Sequence, residues 1–116
     1  MIAGHPERSQ SARPVLIDTD PGIDHALALF LAWGSPGLSV EAITTVAGNV
    51  SVELATANAA RLLGAAHPAR RPRVARGAAA PLRRRLVTAA HVHGDDGLGN
   101  LDGLADAAGR PRHPAP

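Results

Sequence analysis

The stretch Val15-Leu16-Ile17-Asp18-Thr19-Asp20-Pro21-Gly22-Ile23-Asp24-His25-Ala26-Leu27-Ala28-Leu29 carries most of the information about the fold. Val15 to Ile17 is a short, uninterrupted run of branched aliphatic residues, the pattern of a strand buried on both faces. Pro21 and Gly22 break it, and Gly22 leads into a helix whose apolar positions Ile23, Ala26, Leu27, Phe30 and Leu31 fall at helical spacing and predict one buried face. The helix should stop at Gly34-Ser35-Pro36, where glycine ends a helix readily and proline cannot continue it.

Working outward, Leu38 to Val46 reads as a second strand and Ala47-Gly48-Asn49 as a tight loop. Ser51 is a good N-cap for a helix running to about Leu63, with Glu53 in its first turn favouring the helix dipole. Val74-Ala75 reads as a short third strand. Strand and helix alternating at these distances predict an α/β fold built on an open, mainly parallel sheet, Rossmann-like, with helices on both faces. Met1 to Arg13 reads as a flexible leader with no apolar core of a signal peptide, and Ala105 to Pro116 as a loop rich in proline and alanine.

Composition narrows the classes. The 116 residues suffice for one modest domain, and 45% are hydrophobic, which argues against disorder throughout. Phe30 and Trp33 are the only Phe, Trp or Tyr residues, so the core has to be built from Ala, Val, Leu and Ile, each burying little area. The net charge is only +2 although the pI is about 11.0, because every basic residue is arginine and nothing titrates between histidine and arginine apart from the termini. The absence of cysteine excludes disulfides, thiolate metal sites and cysteine nucleophiles, and no apolar run is long enough to span a bilayer. A cytoplasmic location and no membrane partner are the expectations.

In an open α/β sheet, ligands collect beyond the carboxyl ends of the strands. Asp18, Asp20 and Asp24 crowd there within seven residues. Carboxylates so close repel one another unless a cation or bound hydroxyls compensate, and dense oxygen donors suit Ca²⁺ or Mg²⁺. Helix capping and solvated turn acids explain one such aspartate more readily than three.

This stretch resembles the signature of the inosine/uridine-preferring nucleoside hydrolases, in which a strand ends in Asp-x-Asp-Pro-Gly-x-Asp-Asp and enters an apolar helix. Thr45-Val46-Ala47-Gly48-Asn49-Val50 is similar to that family's second strand and Asn loop, and His93-Gly94-Asp95-Asp96-Gly97-Leu98-Gly99 to its His-Gly loop. The resemblance implies hydrolysis of the N-glycosidic bond of purine or pyrimidine ribonucleosides to ribose and free base. Carried over residue by residue, it implies that Asp20 binds Ca²⁺ and takes the proton of the attacking water, whose pKa the ion lowers. Asp24 and Asn49 would hold the ribose, His93 would lie near the leaving base, and Asp18 would be a supporting carboxylate. Read alone, Asn49 serves equally as a loop cap and His93 as an exposed turn residue.

Two departures stand out. His25 occupies the position of the family's fourth Asp, a calcium ligand, and imidazole suits Zn²⁺ or other transition metals better than Ca²⁺. The family's later metal ligands and base-recognition segments have no counterpart after His93, so residues 14–116 read as the N-terminal part of such a domain, with little activity expected of it alone. Two other readings stay open. A strand ending in Asp-x-Asp also suits a phosphohydrolase of the haloacid dehalogenase type, with Asp18 as nucleophile and Asp20 as acid/base, and His25 is compatible with a catalytically dead remnant or binding protein. Arg70, Arg71, Arg73, Arg76, Arg83, Arg84 and Arg85 form a basic run. Without interleaved aromatics it reads as a solvated face, not a nucleic-acid site, and His91 with His93 lacks a third metal ligand. An exposed edge of a parallel sheet favours self-association in a longer form.

Overall fold

The computed structural model describes residues 11–100. Its elements run β1 (Arg13–Thr19), α1 (Ile23–Trp33), β2 (Leu38–Thr45), α2 (Val52–Ala66), β3 (Arg73–Arg76) and a single turn α3 (Ala90–His93). The three strands form one parallel sheet in the order β1-β2-β3. Each expected strand is present, and β1 begins at Arg13, within the segment read as a leader. Most of that leader, residues 1–10, and the tail from Ala105 to Pro116 lie outside the described residues.

Local signals account for the element ends. Gly34 caps α1 with its backbone N–H on the Phe30 carbonyl. The Ser51 hydroxyl accepts the Leu54 N–H at 3.3 Å and satisfies one of the free donors of the first turn of α2. That helix continues three residues past Leu63 and closes at His67, whose φ of 44° is left-handed.

β1 pairs with β2 from Arg13↔Leu38 to Thr19↔Thr45, with a register shift that leaves Glu41 as an extra residue between Val40 and Ala42. The bulge keeps Val40, Ile43 and Thr45 on one face, all buried. Against that face pack Leu29 from α1 and Ala59, Leu62 and Leu63 from α2, together with Leu98 from the loop after α3. Both helices therefore lie on the same side of the three described strands. Each crossover steps one strand in the same direction, and the right-handed rule for such connections then lays successive helices on one face.

Two packing expectations are corrected. Leu16, on the opposite face of β1, is 76% exposed, so the strand is not buried on both sides. The buried stripe of α1 is also not the one expected. Leu29 faces the core, with Ala26, Ala32 and Trp33 packed against it, whereas Leu27 and Leu31 are 68% and 73% exposed. The segment Ile23–Trp33 is apolar nearly all round, so spacing alone cannot select the face, and the face that reaches Ile43 and Leu62 is chosen by tertiary packing. Leu29→Ala should accordingly lower the unfolding free energy in urea by about 2–5 kcal/mol, as for a buried leucine. Leu31→Ala should change it by no more than about 0.5 kcal/mol, as at an exposed position. Equal losses would contradict this packing.

Candidate functional site

Parallel pairing brings the carboxyl ends of β1 and β2 to the same edge, and the backbone ladder continues past the strands through the Val46 N–H to the Thr19 carbonyl, 3.2 Å. Asp20 follows β1 and Asn49 follows β2. The Asn49 backbone N–H donates to Asp20 Oδ2 at 2.7 Å, and Asn49 Nδ2 donates to the Asp20 carbonyl at 3.0 Å. One Asp20 oxygen is thus held in place and Oδ1 is left outside this pair of bonds. The close approach needs glycine at 48, because a Cβ there would overlap the Asp20 carboxylate. The Asn49 carbonyl in turn accepts the Ala89 N–H at 2.8 Å, tying the Asn loop to the segment that enters α3.

His93, at the end of α3, is brought over the start of α1. Its Nδ1 accepts the Ile23 N–H at 3.2 Å, which puts the ring proton of the neutral form on Nε2. Nε2 lies 4.0 Å from Asp24 Oδ1, too far for a hydrogen bond. The ring is largely covered, 14% exposed, while Asp24 reaches into solvent at 72%. Gly22 makes room for it, since a Cβ at that position would sit 2.9 Å from the imidazole and 3.0 Å from Asn49 Nδ2. Asp20, Asp24, Asn49 and His93 are in this way gathered at one edge of the sheet, from three separate stretches of backbone.

His25 lies between the two acids. Its Nδ1 is 3.2 Å from the Asp20 carbonyl and 3.6 Å from Asp20 Oδ1, and its Nε2 is 3.8 Å from Asp24 Oδ2. The ring helps line a cleft of about 440 Å³ between β1 and α1, together with Ile17, Asp18, Thr19, Asp20, Ala28 and Leu29. Among the described residues, no three His, Asp or Glu side chains converge as a metal site would require. Asp18 is held apart from this gathering on the outer face of the sheet, where its Oδ1 accepts the Thr44 hydroxyl at 2.6 Å.

Of the basic run, Arg70 pairs with Glu41 at 2.6 Å and Arg76 with Glu53, so both serve the surface of the sheet and α2. Arg83, Arg84 and Arg85 are exposed in the loop after β3. Gly48, on which the approach of Asp20 to Asn49 depends, carries no signal in a single sequence beyond a glycine in a turn.

With this geometry in view, the comparisons with known proteins are consistent with one another. The family model described as inosine-uridine preferring nucleoside hydrolase matches residues 15–115. The chain is 46% identical over 89 residues to the inosine-uridine preferring nucleoside hydrolase of Leishmania major, covering 77% of this chain and 28% of that protein. It is 51% identical over 91 residues to the non-specific ribonucleoside hydrolase RihC of Salmonella agona, covering 76% of this chain and 28% of that one. Among solved structures it resembles a plant nucleoside hydrolase, PpNRh1, with TM-score 0.69 and 41% identity over 90% of this chain and 31% of that one. It also resembles a purine-preferring ribonucleoside hydrolase from Gardnerella vaginalis, with TM-score 0.72 and 28% identity over 90% of this chain and 33% of that one. The chain spans under a third of the length of the Leishmania and Salmonella relatives. None of these matches supports the phosphohydrolase reading, and the chain belongs to the inosine-uridine preferring nucleoside hydrolase family.

Proposed function

We propose that this chain supplies the water- and ribose-handling part of an N-ribosyl hydrolase that converts ribonucleosides to ribose and free base. The observation that carries the reading is the 2.7 Å bond from the Asn49 N–H to Asp20 Oδ2, which joins the acid after β1 to the loop after β2. Asp20 Oδ1 then takes the proton of the attacking water, whose oxygen bonds to the anomeric carbon as the glycosidic C–N bond breaks. The transition state is oxocarbenium-like and gains from negative charge close to the sugar. Asp24, exposed at 72%, accepts hydrogen bonds from ribose hydroxyls, with Asn49 beside it. In this reading His93 lies near the leaving base, and the base takes up a proton as it departs, for which the Nε2–H of His93 is the donor.

The calcium ion implied by the family resemblance fits these residues poorly. A calcium ion wants six to eight oxygen donors. Asp20 Oδ2 is already engaged by Asn49, and residue 25 offers imidazole nitrogen directed at the Asp20 carbonyl. Replacing His25 by Asp restores an oxygen donor and a negative charge. His25→Asp should therefore raise Ca²⁺ affinity by about 10–100-fold in calorimetric titration, the size of effect typical of altered supporting groups at metal sites. Equal affinity in the two proteins would mean that residue 25 does not reach the ion.

The catalytic reading is tested by exchanging this chain's matched segment into the Salmonella relative and measuring ribose release from inosine and uridine. Asp20→Asn in the exchanged protein should lower kcat by about 10²–10⁴-fold, the usual contribution of a general base. Undiminished turnover in that variant would remove Asp20 from the role.

A further inference from the structure

We propose that Asn58, oriented by Arg61, is a positioning residue that holds the loop carrying His93 over the site. The proposal rests on the reading of His93 as a site residue, but its geometry can be tested without catalysis. Asn58 lies in α2 with no exposed surface, and Arg61, one turn on, is only 5% exposed. Arg61 Nη1 donates to Asn58 Oδ1 at 2.8 Å, and Arg61 Nε has no partner among the described residues. A buried guanidinium is costly, and apolar residues of similar volume often serve stability at least as well. Stability of α2 alone is therefore a weak reason for this pair.

The pair has a directional effect. Guanidinium is a donor only, so the amide oxygen of Asn58 must face it and the amide nitrogen must face the other way. There Asn58 Nδ2 donates to the Asp96 carbonyl at 2.7 Å. Arg61 thus fixes which end of the amide meets the loop. The loop is fitted to that contact. Gly97 has φ +78°, and a Cβ on it would sit 2.7 Å from Val50 and 3.1 Å from Asn58 Nδ2. Leu98 is buried in the core, and Asp96 Oδ1 accepts the Leu98 and Asn100 N–H groups at 2.8 and 2.9 Å.

From Asp96 the restraint passes back to His93 through the backbone. Gly97 N–H donates to the Gly94 carbonyl at 3.0 Å, and Gly99 N–H to the His93 carbonyl at 2.7 Å. These bonds close the loop on itself, so a tether at Asp96 sets where His93 begins. The imidazole is then held with Nδ1 on the Ile23 N–H.

Asn58→Asp separates the two contacts. The carboxylate keeps an acceptor for Arg61 and presents only oxygen to the Asp96 carbonyl, so the helix stays intact while the loop is released. In the isotope-labelled 116-residue chain, the His93 ring nitrogens report the tautomer, and amide hydrogen exchange at Gly99 reports loop closure. Asn58→Asp should replace the Nε2–H pattern of His93 by a mixed-tautomer average and speed Gly99 exchange by about tenfold or more, as for local opening. The Ile17 and Thr45 amides of the sheet should keep their wild-type exchange rates. Gly97→Ala, which disturbs the same contact from the loop side, should do likewise and decides the matter if Asn58→Asp does not fold. An unchanged His93 pattern with unchanged Gly99 exchange would overturn the proposal. So would a uniform loss of protection that includes Ile17 and Thr45, because Asn58 would then support the fold as a whole.

Discussion

The bond between Asp20 and the Asn49 backbone is the constraint around which this end of the molecule is arranged. A carboxylate accepting a backbone N–H at 2.7 Å is a charge-assisted contact, stronger than a neutral one. It spans two strands whose pairing is fixed by the register from Arg13↔Leu38 to Thr19↔Thr45. It also demands glycine at 48, where no side chain fits, and it sets the Asn49 carbonyl to accept the Ala89 N–H. His93 arrives from that same segment and meets the first N–H of α1. The gathering of distant residues thus depends on one long-range bond and on the parallel sheet beneath it.

The same dependence explains why the sheet is built as it is. Parallel strands place their carboxyl ends side by side, and the Glu41 bulge keeps Ile43 and Thr45 facing the helices up to the last residue before the site. Thr45, buried, shares a 2.6 Å hydrogen bond with Thr56 of α2, so even the polar groups next to the site are matched within the protein. A core of Ala, Val, Leu and Ile then has only to hold α1 and α2 against one face. The opposite face, with Leu16 exposed, plays no part in forming the site among the described residues.

The strands, the end of α1 and the start of α2 were legible because each has a local cause: Gly34 and Ser51 as caps, Pro21-Gly22 as a break, branched aliphatic runs as strands. The meeting of Asp20 with Asn49 was legible too, since parallel strands joined by one helix must end together. The buried face of α1 was not. Ile23 to Trp33 offers apolar side chains in nearly every direction, and only contact with Ile43 and Leu62 selects Leu29 over Leu31. Burial of Val15 to Ile17 on both sides was overestimated for a related reason, because an apolar run records the ability to be buried and not what covers it. Asn58 and Arg61 were invisible for the opposite reason: within a helix they read as surface residues, and only the arrival of the Asp96 loop gives them a role.

The most direct test of the account follows the backbone amides of the isotope-labelled 116-residue chain as inosine is added to millimolar concentration. If the edge joined by Asp20 and Asn49 is the ribose site, the resonances of Gly22, Asp24, Asn49 and His93 shift together with a single affinity. The molecule offers its own control in a second cleft of about 500 Å³ at the other end of α1, lined by residues that include Trp33, Ser39 and Arg70. Shifts confined to that cleft, or none at Asn49 and Asp24, would contradict the account.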